Sequence, residues 1–112
     1  MPKPNGRTHS RHAREAMVLL GRLIRIARIE RKLTAAEVAD RAGLSRSLLQ
    51  RIENGDPGTS VGAVFEAATV VGVPLFEAER DRLATHNAAA AAKLALLPQA
   101  ARPRKRVVRD AF

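Results

Sequence analysis

The sequence predicts an all-α fold of five helices, and three observations carry that expectation. Apolar residues recur at helical spacing, no run alternates with the period of a strand, and Ser, Thr and Gly stand where short helices would start and stop. At 112 residues the chain has room for one modest core, since domains usually run to about 100–150 residues. That core must be aliphatic, because Trp and Tyr are absent and the only aromatics are Phe65, Phe76 and Phe112.

Residues 1–13 hold two prolines, a glycine and no periodic apolar face, and are expected to form a disordered basic arm. Helix 1 is expected over 14–32, where Leu20, Leu23, Ile24 and Ala27 share one face. Thr34 with Glu37 three residues on is a capping box that opens a short helix 2 over 35–42, with Val38, Ala39 and Ala42 on its apolar side. Gly43 suits the left-handed position that ends it. Ser45 then caps helix 3, whose Leu48, Leu49 and Ile52 point inward before Asn54-Gly55 stops it. Beyond the loop Asp56-Pro57-Gly58, helix 4 is expected over 61–71, with Val61, Val64, Phe65 and Ala68 on one stripe and Gly72 as its stop. Leu75–Leu97 reads as one broken helix or two consecutive ones, ended by Pro98. Within it Leu83, Ala90, Leu94 and Leu97 form a narrow seam.

The net charge of +9 is concentrated at the two ends. Residues 1–32 carry nine basic and two acidic residues, residues 98–112 five basic residues against Asp110, and the stretch between is slightly acidic. Such a footprint suits a polyanion, and nucleic acid is the commonest one inside a cell. Basic ends that merely solvate the chain are the alternative. The absence of cysteine excludes disulfides and thiolate metal sites and makes the cytoplasm the expected location. No apolar run approaches the roughly 20 residues that cross a bilayer, and the N-terminus lacks the apolar block of a signal peptide, so no membrane partner is expected. His9, His12 and His86 are too few and too scattered to suggest a metal, and no cofactor is expected. Paired carboxylates, a nucleophile beside a base and a glycine-rich phosphate loop are all missing, so the chain does not read as an enzyme.

The segment Leu33–Gly55 carries the functional reading. Two short helices joined through Gly43 meet steeply, which exposes helix 3 as a ridge of a size that fits the major groove of DNA. Its outward residues are Ser45, Arg46, Ser47, Gln50 and Arg51. Arg pairs in bidentate fashion with guanine and Gln with adenine, so Arg46, Gln50 and Arg51 are suitable readers. Ser45, Ser47, Asn54 and the Thr34 end of helix 2 suit phosphates. Each of these is equally at home as a cap or a solvated helix residue when taken alone.

On these residues the chain resembles the Xre/Cro-like, or lambda-repressor-like, helix-turn-helix family. The resemblance covers about Leu20–Leu75 and rests on Leu33-Thr34, Glu37-Val38-Ala39, Gly43-Leu44-Ser45, Arg51-Ile52-Glu53-Asn54-Gly55 and Val71-Gly72-Val73-Pro74. It implies a five-helix DNA-binding domain, placed over 14–75; by their own pattern residues 76–97 read as a helical dimerisation or packing segment and 98–112 as a disordered basic tail available to a partner. It also implies a structural ion pair between Arg28 and Glu53, and Arg28 does fall on the apolar stripe, where a charge needs a partner. The family usually carries Gln where this chain has Ala35, so a phosphate or base contact is expected to be lost there.

Leu48–Glu53, Gly62–Glu66, Val73–Phe76 and Lys93–Pro98 further resemble the HipB-like antitoxins encoded beside HipA-type kinase toxins. That resemblance implies a homodimeric repressor of its own operon, bound to a palindromic operator in double-stranded DNA, which also holds a HipA-like kinase toxin. A dimer would use Leu83, Leu94 and Leu97, which serve the monomer core otherwise, and Phe112 is either a partner anchor or a frayed end. Arg7 and Arg11 would reach the DNA backbone or minor groove. The alternatives are a stand-alone regulator without a toxin and a helical interaction module that does not bind DNA.

Overall fold

A computed structural model describes residues 8–76 and 80–99. Its helices are α1 (Arg11–Glu30), α2 (Ala35–Ala42), α3 (Arg46–Glu53), α4 (Val61–Val71) and α5 (Leu83–Ala95), with one 3-10 turn at Arg80–Arg82. The fold is all-α. None of these helices is long and apolar enough to cross a membrane. The chain divides into two units, residues 1–78 with α1–α4 and residues 79–112 with α5.

In the first unit every helix starts in the same way. Ser10, Thr34, Ser45 and Ser60 hold extended backbone, and their hydroxyls accept from the amides of Ala13, Glu37, Leu48 and Ala63. Each bond satisfies one of the amides that a helix start leaves without a partner. The Ser10 cap sets the start of α1 at Arg11, three residues before the expected boundary at 14. The first turn there is polar, so apolar periodicity could not show it. Residues 1–7 of the expected arm lie outside the described residues.

The helix ends are equally uniform. Lys32, Gly43, Gly55 and Gly72 have φ from 58° to 80°, in the left-handed region. In each case the next residue returns its amide five positions back: Leu33 to Arg28, Leu44 to Ala39, Asp56 to Arg51 and Val73 to Ala68. This pattern closes the orphan carbonyls of the last turn. It ends α1 at Glu30 rather than the expected 32, because Lys32 takes a position for which glycine is the usual signal.

The core consists of Ile24, Val38, Ala39, Leu49, Ile52, Ala63, Val64, Ala67, Ala68 and Val71. Leu20, Ala27, Leu33, Leu44 and Leu48 pack against it from the rim. Two residues assigned to inward faces from the sequence are exposed: Leu23 at 43% and Val61 at 66%. Leu23 is one residue, about 100° of helical turn, from the fully buried Ile24, and Val61 is the first residue of α4, above the core.

Close approach of α1 to the end of α3 depends on Gly21. A β-carbon there would run into the carbonyl oxygen of Ile52 and come within 2.8 Å of that of Glu53. Gly55 repeats the device, since a β-carbon on it would lie 2.7 Å from the Cα of Val18. The C-terminal turn of α3 is therefore seated backbone-to-backbone on α1.

In the second unit, α5 is an alanine-rich helix with no buried residue, Leu94 is 69% exposed and Leu97 49%, while Leu83 is half-buried. The alanine run Ala88–Ala92 accounts for its helicity, as alanine is the strongest helix former. Leu96 and Leu97 follow in a tightened last turn rather than in the helix itself. Phe112 and the tail beyond Gln99 lie outside the described residues.

Candidate nucleic-acid interface

The turn between α2 and α3 is set by Gly43 at φ 72° and by Leu44, which tucks towards the core. It leaves α3 anchored along one side by Leu49 and Ile52, with Arg46, Ser47, Gln50, Arg51 and Asn54 exposed. Arg46, Ser47, Gln50 and Asn54 fall at helical spacing and come together in one groove, completed by Arg25 and Arg28 of α1, Ala35 of α2 and Glu53.

The floor of this groove is an ion pair. Arg28 Nε donates to Glu53 Oε2 at 2.7 Å and its Nη2 to Oε1 at 3.0 Å, while Nη1 reaches the Leu33 carbonyl at 3.2 Å. Both side chains are largely buried, at 14% and 8% exposure. The hydrogen bonds from Arg28 to Glu53 raise the Arg28 pKa above its ordinary value, against a smaller opposing effect of burial. One guanidinium thus ties α1, the α1–α2 loop and the end of α3, and it neutralises Glu53, the one carboxylate among the described residues that line the groove. Arg25 and Arg46 have no ion pair among the described residues and give the groove its positive charge.

The remaining residues expected at the interface divide by what they already hold. The Thr34 and Ser45 hydroxyls accept from the Glu37 and Leu48 amides at 3.0 Å, and so cap their helices. Arg51 is turned away from the groove: its Nε donates to Asp56 Oδ2 at 2.8 Å. Asp56 also accepts from the Gly58 amide through Oδ1 at 2.8 Å, which shapes the α3–α4 loop. The hydrogen bonds from Arg51 and Gly58 hold the Asp56 carboxyl below its ordinary pKa.

Besides the Arg28–Glu53 pair, two lining residues were not singled out as contacts from the sequence. Arg25 lies one helical turn before Arg28, and that basic spacing was the available signal. Ala35 has no polar atom to advertise it, yet it lines the groove where a lost contact was expected.

No curated protein is matched by the chain. A family model described as "Helix-turn-helix domain" matches residues 19–83, more than half of the chain and the whole of α2 and α3. The capped pair α2–α3, the groove along α3 and this match agree, and the chain belongs to the helix-turn-helix family of DNA-binding regulators.

Proposed function

We propose that the chain is a sequence-specific transcriptional repressor that binds a palindromic operator as a homodimer, with α3 in the major groove. The observation that carries this reading is the gathering of Arg46, Ser47, Gln50 and Asn54 on one groove with Arg25, neither arginine having an acidic partner among the described residues. Arg46 and Gln50 have the donor and acceptor sets for guanine and adenine edges. Ser47, Asn54 and the amide ends of α2 and α3, next to Thr34 and Ser45, suit the flanking phosphates. A two-fold dimer would set its two α3 helices about 34 Å apart, one turn of DNA. Leu94 and Leu97, exposed in the second unit with the half-buried Leu83, are candidates for that contact or for a protein partner.

The finer reading is that of an antitoxin that represses its own operon and holds a HipA-like kinase toxin. It rests on the resemblance described above and on the exposed apolar residues of the second unit. A kinase-like reading frame beside the gene, whose product copurifies with this chain on coexpression, supports it; a neighbourhood without one leaves a stand-alone regulator.

The experiment for the DNA reading compares Arg46→Ala with Arg51→Ala on a duplex selected from a random pool. Arg46→Ala is expected to weaken binding at least about fivefold, since one bidentate base contact is worth about 1–3 kcal/mol. Arg51→Ala is expected to weaken it less, because that guanidinium is engaged by Asp56. Undiminished binding in a folded Arg46→Ala variant would contradict the assignment.

A further inference from the structure

Ala35 is the first helical residue of α2, directly behind the Thr34 cap. Among the described side chains that line the α3 groove, it alone carries no polar group. It is half-buried, packed against the core on its inner side, so the methyl is held in place and its remaining surface faces the groove. The reciprocal bonds of the capping box, Glu37 amide to Thr34 Oγ1 and Thr34 amide to Glu37 Oε1 at 2.7 Å, fix the backbone at this point.

A methyl fixed at a DNA-facing surface gains nothing from a phosphate, an amino group or a carbonyl, because each loses water against it without a hydrogen bond in return. The major-groove edges of the four base pairs offer one apolar group, the C5 methyl of thymine. We infer that Ala35 is a specificity-determining residue that reads a thymine C5 methyl at one position of each operator half-site, next to the bases read by Arg46 and Gln50. The inference rests on the DNA-binding reading above. It replaces the polar contact expected to be missing at this position with an apolar one of different base preference.

The test uses the full chain and duplexes selected from an unmethylated random pool, in which thymine is the only source of a C5 methyl. Each thymine of the recovered site is replaced singly by uracil, which removes the methyl and leaves base pairing unchanged. At one symmetry-related position per half-site, uracil is expected to weaken binding by the wild-type chain about four-fold, the value of one buried methyl group. Ala35→Gly is expected to lose this sensitivity, and Ala35→Ser, a second variant that keeps a side chain at the helix start, to reduce it; melting curves confirm that both are folded. Selection of a site that Arg46→Ala fails to bind, with every uracil replacement neutral, would overturn the role of Ala35 and leave the DNA reading standing. Persistence of the uracil effect in Ala35→Gly would do the same. Failure to select any duplex would remove both.

Discussion

At the scale of single residues, the fold around α3 depends on polar groups that had to be satisfied before the site could exist. Glu53 is the sharpest case: its carboxylate is 8% exposed and both its oxygens accept from Arg28. Glu53→Ala leaves the Arg28 guanidinium largely buried without its partner, and is expected to cost about 2–4 kcal/mol, somewhat below the value for a fully buried pair. Denaturant unfolding of the variant checks this, and a loss under 1 kcal/mol would contradict it. That Arg28 needs a counterion was legible beforehand from its place on an apolar stripe, while Glu53 as the partner followed only from the family resemblance. The fate of Arg51 was not, because nothing in the spacing of α3 says that Asp56, across the loop, lies within reach of its guanidinium.

At the scale of elements, three of the four N-caps and three of the four left-handed stops stood in plain view as Ser, Thr and Gly, while Ser10 was passed over because the turn that it opens is polar. The fourth stop was hidden, because Lys32 adopts φ 58° without the residue type that signals it. The capping box has a consequence for pH. The bonds from the Thr34 amide and hydroxyl region hold the Glu37 carboxyl below its ordinary pKa, as Arg51 and Gly58 do for Asp56. Because the folded values lie below the unfolded ones, the stabilisation is complete above the ordinary carboxylate range, about pH 4–5, and is lost as pH falls through the folded values. The melting temperature is therefore expected to be flat from neutral pH to about pH 5 and to fall below about pH 4. Glu37→Gln keeps an acceptor for the box without the charge and is expected to fall less steeply; identical acid profiles would contradict this.

Helix packing supplies a second contrast at this scale. Gly21→Ala drives a methyl into the backbone at the end of α3, where only main chain can give way, and is expected to cost about 3 kcal/mol or more. Gly62 sits in α4 with open space around it, so Gly62→Ala is expected to stabilise the protein by about 0.5 kcal/mol. Melting of the two variants side by side checks both signs. The role of Gly21 was invisible in the sequence, since a glycine inside a helix marks a close approach only once its neighbour is known.

At the scale of the whole molecule, the charge distribution suits a polyanion, and the structure adds which cations line the groove along α3. Glu53 is spent on Arg28 and Asp56 on Arg51, while Arg25 and Arg46 have no acidic partner among the described residues. The all-helical class and the seating of α2 and α3 could be read from caps, stops and period. The composition of the groove could not, because it joins residues from three helices, and its shape depends on how closely α1 and α3 approach.

The most direct measurement is the affinity of the full chain for a selected duplex and for a scrambled one, each followed from low to physiological salt by fluorescence anisotropy. The phosphate contacts proposed beside α3 predict a steep linear fall of log affinity with log salt, with a slope of about −0.9 per contact. They also predict a preference of at least about a thousandfold for the selected duplex, which Arg46→Ala with Gln50→Ala removes while the fold is retained. A flat salt response, or a preference that survives in the double variant, would contradict the placement of α3 in the major groove.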